Sequence, residues 1–299
     1  MLISRILVPM DFSPASQGLL AHALHIAGRF SAHITLYHVV SVFDDDPYNP
    51  KQEFPEIPEY YQHLEQRADE ELEKVLAQYP HEGVSVSRVI CRGFSPAEEI
   101  LSFAAEHDID LIIMGTHGRK AIAHLLLGSV AEKVVHYASC PVLTAHVRSD
   151  GSVPASPYNH VLVPIDFSEQ SQRALQFAAD FVAENGEIDL LHVVEDTIHP
   201  AYYSSEGETI FELMPNLREK SLSMLSTIAE QLQEKIPQKV TTTVLEGSIY
   251  QEIAAFAQTR GINLIIMGTH GMNAISRLLI GSQASRVIRN AACPVITLK

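Results

Sequence analysis

Residues 115–129 read GTHGRKAIAHLLLGS, and residues 268–282 read GTHGMNAISRLLIGS. All three glycines fall in register, and the agreement spreads outward. RILVPMDFSPASQGLLAHALHIA (5–27) aligns with HVLVPIDFSEQSQRALQFAAD (160–180), and ITLYHVV (34–40) with IDLLHVV (188–194). VICRGFSPAEEILSFAAEHDIDLIIMGTHG (89–118) aligns with VLEGSIYQEIAAFAQTRGINLIIMGTHG (244–271), and ASCPVLTAHV (138–147) with AACPVITLK (291–299). The offset is 155 residues at Asp11/Asp166 (166 − 11) and 153 at Gly115/Gly268 (268 − 115). A self-match at this period is a duplicated domain, because solenoid units span only ~20–50 residues. The chain has 299 residues, which accommodates two ordinary domains. RSDGSVPASP (148–157) is small, polar and proline-bearing, and it reads as a linker between domains at 1–147 and 158–299.

Each copy alternates strand and helix patterns. In the first, ILVPM, ITLYHVV, VSRVI, LIIMG and PVLTAHV are short apolar runs rich in β-branched residues, the mark of buried strands. Between them, residues 14–29 repeat Leu19, Leu20, Ala23, Leu24 and Ala27 on one helical side. Residues 58–79 form a charged amphipathic helix, matched by 213–235 in the second copy. Residues 96–107 open a helix at Pro96, and residues 129–138 carry the last one. Apolar strands alternating with helices require a parallel sheet covered on both faces. The expected class is therefore α/β: two tandem doubly wound, Rossmann-like domains, each with a five-stranded parallel sheet. In such a sheet the ligand crevice lies beyond the carboxyl ends of the strands, where the strand order reverses.

Bulk charge narrows the partners. The formal charge of −15 argues against nucleic acid and against an anionic membrane surface. No apolar run approaches the ~18 residues of a membrane span. MLISRILVPMDFS carries Arg5, Pro9 and Asp11 where a signal peptide keeps an apolar core. Three widely spaced cysteines, Cys91, Cys140 and Cys293, give no disulfide framework. The expected location is the cytoplasm.

The repeated glycine string begins where LIIMG ends, at the carboxyl edge of the sheet. Gly115 and Gly118 allow a tight turn and a close backbone approach to a ligand. Gly128 and Ser129 then open a helix, whose unpaired N–H groups and dipole attract an anion. Ser129 is also placed to form a capping box with Glu132, an alternative that leaves the glycine pairs unexplained. The pattern is neither a Walker loop nor a GxGxxG turn after the first strand. Arg119 and Lys120 lie inside the first loop, whereas Met272 and Asn273 take their places in the second. Asp11 and Asp166 each follow the first strand of a copy. They are ligand candidates, since a carboxylate there accepts hydrogen bonds from ribose hydroxyls or an adenine amine. The alternative is an N-cap, for which the downstream Ser13 and Ser168 are better placed.

The spacing G-x2-G-x9-G-[ST], followed by a C-P-V strand and preceded by VPMDFS and LYHVV, resembles the nucleotide motif of the universal stress protein family. The likeness covers nearly the whole chain as a tandem two-domain member. It implies domains that bind ATP or AMP and that pair through their last strands. With no dedicated lysine in the motif, neutralisation of the phosphates is expected to fall to N–H groups and a divalent cation, Mg²⁺ with ATP. Carried onto this sequence, the resemblance puts the nucleoside-end aspartate at Asp11 and Asp166, and the adenine-side valine at Val40 and Val194. It puts the residue beside the base at Met114 and Met267, and the ribose–phosphate turn at Gly115 and Gly118, and Gly268 and Gly271. The phosphate turn falls on Gly128, Ser129 and Val130, and on Gly281, Ser282 and Gln283.

Other features weigh less. There are fifteen histidines, but they include no HExxH set. His22 and His25 share a helical face, and the equivalent His38 and His192 read as structural or as backing the pocket. DDDP (44–47) reads as a solvated loop. Tyr48, Phe54, Tyr202, Tyr203 and Phe211 lie where the copies diverge, as pocket covers or partner contacts. Cys140 and Cys293 read as small buried hydrophobes. No catalytic residue is assignable from spacing. The expected function is a stress-response or signalling protein that binds adenine nucleotide and acts through conformational or assembly change. A slow ATP hydrolase, or an adaptor with a vestigial pocket, are the competing readings. PVLTAHV and PVITLK are expected to pack the two domains as an intramolecular pseudo-dimer, with a further homodimer open. Small-angle scattering should accordingly report one compact particle rather than two independently tumbling domains.

Overall fold

The computed structural model describes residues 3–41, 58–116, 127–146, 158–195, 210–269 and 281–299. The chain divides into two compact units, Leu2–Ala155 and Ser156–Lys299. The first contains β1 (Arg5–Pro9), α1 (Pro14–Phe30), β2 (His33–Ser41), α2 (Pro58–Ala77), β3 (Val86–Gly93), α3 (Pro96–Glu106), β4 (Leu111–Gly115), α4 (Ser129–Tyr137) and β5 (Val142–Ala145). The second contains β6 (His160–Pro164), α5 (Glu169–Phe181), β7 (Glu187–Glu195), α6 (Ile210–Leu213), α7 (Pro215–Gln233), β8 (Lys239–Gly247), α8 (Ile249–Arg260), β9 (Leu264–Gly268), α9 (Ser282–Asn290) and β10 (Val295–Leu298).

Each unit holds a parallel sheet of the expected five strands. The order is β3-β2-β1-β4-β5 in the first and β8-β7-β6-β9-β10 in the second. The order reverses between β1 and β4, and again between β6 and β9. Right-handed crossovers therefore place α1 and α2 on one face and α3 and α4 on the other. The contact of α3 with α4, and of α8 with α9, agrees. The central strands are covered on both sides: Ile6, Leu7, Val8, Leu111, Ile112 and Ile113 are completely buried.

The helices form where the apolar spacing dictates. On α2, Ala68, Leu72 and Val75 are buried at i, i+4 and i+7, and on α7 Leu225, Ala229 and Leu232 repeat that spacing. The expected helix over 213–235 is divided in the structure. α6 ends at Leu213 and α7 begins at Pro215, because a proline lacks the N–H needed to continue a helix but suits its first turn. The last strand of the first unit is shorter than PVLTAHV, running Val142–Ala145.

α1 and α5 start in the same way. Ser13 and Ser168 are the N-caps, each with Oγ accepting from a backbone N–H three residues on, at 3.2 Å from Ser16 and Ser171. The same hydroxyl donates to the preceding aspartate, Ser13 to Asp11 Oδ1 at 2.6 Å and Ser168 to Asp166 Oδ1 at 2.5 Å. Burial on α1 extends beyond the expected stripe to Ser16, Ile26 and His22, the last only 1% exposed. Burial, reinforced by the charge of His25, lowers the His22 pKa to about 4.

Two outcomes follow. Ser13→Ala removes both a cap and the anchor of Asp11, so urea denaturation should show a loss of about 1–2 kcal/mol. Between pH 6.5 and about 4 the unfolded chain protonates His22 before the folded one does. Stability should therefore fall as pH drops through that window, by about 3 kcal/mol in the limit. The slope should become shallower in His22→Leu, as read from urea midpoints at a series of pH values.

Candidate functional site

The first strand of each unit ends in an unusual turn. After β1, Met10 N–H still pairs with Tyr37 O at 2.8 Å, and after β6 Ile165 N–H pairs with Leu191 O at 2.8 Å. Asp11 Oδ1 then accepts the Ser13 N–H at 3.0 Å, and Asp166 Oδ1 accepts that of Ser168 at 3.0 Å. This bridging forces the intervening phenylalanine into left-handed backbone, with φ of 61° at Phe12 and 64° at Phe167. For a bulky residue that conformation costs about 1–2 kcal/mol. Ring packing offsets part of it. Phe12 lies 4.5 Å from the His38 ring and Phe167 lies 4.6 Å from the His192 ring.

The two histidines are in turn fixed from the sheet. His38 Nδ1–H donates to Met10 O at 2.7 Å and His192 Nδ1–H donates to Ile165 O at 2.7 Å. A carbonyl can only accept, so Nδ1 carries a proton in both. His38 and His192 thus hold the aspartate turn in place, as structural partners of the crevice.

Opposite this turn, across the reversal of strand order, stands the start of the last helix. Gly128 N–H donates to Thr116 O at 2.7 Å, and Gly281 N–H donates to Thr269 O at 2.7 Å. The base of the glycine loop is thereby closed onto the residue just after β4 or β9. Thr116 N–H is itself held by Ala145 O at 3.3 Å, and Thr269 N–H by Leu298 O at 2.8 Å. Both threonines are buried, and Thr116 Oγ1 also pairs with His146 Nδ1 at 2.9 Å.

Gly128 and Gly281 are the N-caps of α4 and α9. The capping-box alternative for Ser129 is therefore overturned. Ser129 is the first helical residue, and the Glu132 N–H pairs with Gly128 O at 2.8 Å. The physical reason is the Thr116 carbonyl, which captures the Gly128 amide and holds that residue in extended conformation. A glycine cap has no side-chain oxygen to satisfy the first helical amides. At helix start they have no intrahelical acceptor either, which suits them to an anion.

The described residues of the expected site all lie along this carboxyl edge. Asp11 and Asp166 follow β1 and β6. Val40 and Val194 stand one residue before the ends of β2 and β7, Val40 buried and Val194 half-buried. Met114 and Met267 are buried, with the adjoining Gly115 and Gly268 closing β4 and β9. Gly128, Ser129 and Val130, and Gly281, Ser282 and Gln283, form the two helix starts. Gly118 and Gly271, with Arg119, Lys120, Met272 and Asn273, lie outside the described residues. So do DDDP (44–47), Tyr48, Phe54, Tyr202 and Tyr203. Gly268 has a packing role as well. A Cβ there would sit 3.0 Å from Gln170 Cβ and 3.4 Å from its carbonyl carbon, so α5 approaches β9 against bare backbone.

Sequence reading missed Phe12, Phe167, Thr116 and Thr269. Their signal was present, since each sits in a string that recurs unchanged in both copies (DFS and GTH).

Other polar clusters belong to the scaffold. Asp189, the third residue of β7, is completely buried and accepts from Arg260 Nε at 3.1 Å, His160 Nε2 at 3.2 Å and the Thr241 hydroxyl. Burial alone would raise its pKa. The hydrogen bonds from Arg260 and Thr241, with the Arg260 charge and the His160 bond, outweigh that and hold it below 3.8. This group sits in the amino half of its strand, away from the crevice. Burial pushes the Cys293 thiol up to about 12, which makes it a poor nucleophile. Among the described residues no group of three or more His, Cys, Asp or Glu side chains is placed to hold a metal ion. Nor is any helix among them long and apolar enough to cross a membrane.

Comparison with known proteins identifies the family. The chain is 28% identical over 302 residues to a universal stress protein of Mycolicibacterium smegmatis, covering 98% of this chain and 96% of that one. It is 36% identical over 146 residues to universal stress protein MJ0531 of Methanocaldococcus jannaschii, covering 48% of this chain and 82% of that one. The crystal structure of a universal stress protein from Archaeoglobus fulgidus superposes with a TM-score of 0.70 at 24% identity, over 100% of this chain and 99% of that one, which shows a shared fold. The model of the universal stress protein family matches twice, at residues 3–146 and 157–299. The chain is therefore a tandem two-domain member of the universal stress protein family.

Proposed function

We propose that the protein binds an adenine nucleotide, ATP or AMP, at the carboxyl edge of its sheets and acts as a stress-response signalling module through the resulting change in conformation or assembly. One observation carries the reading. In each unit a glycine-capped helix start is pinned to the end of the fourth strand, across the strand-order reversal from a rigid aspartate turn. A nucleotide presents the matching chemistry at its two ends. Its phosphates suit the amides of Ser129 and Val130, and its ribose hydroxyls suit the Asp11 carboxylate. Mg²⁺ would accompany the phosphates of ATP, since this turn has no dedicated lysine of the Walker kind.

The geometry suits a binding module. One oxygen of Asp11 is committed to its turn, and Asp11 belongs to the nucleoside end, remote from a terminal phosphate. The test is titration calorimetry on protein freed of any co-purifying ligand, with ATP and AMP up to millimolar concentration. Binding is expected, weakened about tenfold or more by Asp11→Ala, in line with the loss of a hydrogen bond to a charged group. No heat with either nucleotide would refute the reading.

A further inference from the structure

The two phosphate turns are not equivalent. In the second unit the turn ends in Gln283, whose Nε2 donates to Glu195 Oε1 at 3.0 Å. Its Oε1 is buried and has no hydrogen-bond partner among the described residues. Glu195 is the last residue of β7 and Gln283 lies in the first turn of α9. β7 lies on one side of β6, whereas α9 follows β9 on the other. The bond therefore spans the reversal of strand order, across the mouth of the crevice. In the first unit the equivalent positions hold Ser41 and Val130, which supply neither a carboxylate nor an amide to bind one.

A carboxylate near a helix N-terminus is favoured by the same dipole that draws a phosphate. Glu195 thus offers the α9 start a negative charge from within the chain. An incoming phosphate must approach that like charge or break the bond to Gln283. The orphaned Gln283 oxygen points the same way: leaving a buried acceptor unpaired is costly, and the side chain nonetheless keeps its amide turned to Glu195.

We infer that the Gln283–Glu195 bond bars anionic ligands from the second crevice, so that each chain takes a single nucleotide, in its first unit. This rests on the nucleotide reading above, and it names the residues that make the two copies unequal.

The experiment is calorimetry with ATP on three full-length proteins. Wild type should bind one ATP per chain. The E195S/Q283V protein, which copies the first unit's residues into the second, should bind two. The reciprocal S41E/V130Q protein should lose its binding or weaken it about tenfold or more. Circular dichroism and urea midpoints establish that each variant is folded. Two ATP bound by wild type would overturn the inference and leave the nucleotide reading intact. So would a stoichiometry of one in E195S/Q283V, or undiminished binding in S41E/V130Q. No binding by wild type and by E195S/Q283V alike would overturn both.

Discussion

The hydrogen bond from Gly128 N–H to Thr116 O, and its twin from Gly281 to Thr269, both 2.7 Å, set the geometry on which the crevice depends. Each joins the end of the fourth strand to the start of the last helix, closing a loop of about a dozen residues at its neck. Without it the helix start would be free to move relative to the sheet edge, and its dipole would have no fixed target. With it the helix start at Ser129 and Val130 is held beside the end of the fourth strand. The turn is anchored as firmly, by Ser13 and Ser168 on the helix side and by His38 and His192 on the sheet side. Preorganisation of this kind lowers the ordering cost of binding, because donors and acceptors do not have to be collected when a ligand arrives.

The fold was legible because duplication supplied an internal control. An apolar run such as LIIMG is ambiguous alone, yet its return at nearly the same distance from DFS (111 − 11 = 100 and 264 − 166 = 98) and from HVV (111 − 38 = 73 and 264 − 192 = 72) fixes its place in the order. The strand-edge location of Asp11, Val40, Gly115 and Ser129 followed from that order. Details set by tertiary hydrogen bonds did not. Ser129 looked like a cap because Ser-x-x-Glu is a local signal. The cap is Gly128, for a reason twelve residues upstream in Thr116. Phe12 gives no local hint of left-handed backbone, because side-chain bridging by Asp11 overrides its intrinsic preference. Gly268 read as part of a ligand-facing turn, and the structure adds a packing role that spacing did not reveal, since a Cβ there would press on Gln170 Cβ at 3.0 Å. The Gln283–Glu195 bond joins residues 88 apart and appears in one copy only, so neither periodicity nor repetition could reveal it.

The two copies have diverged unevenly. Residues that shape the backbone of the crevice recur almost unchanged: the aspartate turns, the left-handed phenylalanines, the buried threonines and the capping glycines. Residues that set charge around it do not. Ser41 becomes Glu195 and Val130 becomes Gln283. A shared scaffold can thus carry different electrostatics in its two copies.

Net charge alone would make this chain a poor host for a polyanion, since −15 repels it at long range. At physiological ionic strength that repulsion is largely screened beyond about 8 Å. What decides occupancy is then the handful of groups within that radius of the seat. In the first unit these include the first amides of α4 and Val130. In the second they include a carboxylate held by a glutamine. A residue at that range outweighs the acidic groups on the distant surface, because its interaction acts over a short path. On the reading proposed above, the same backbone would take a phosphate in one unit and not in the other, the difference resting on Glu195 and Gln283.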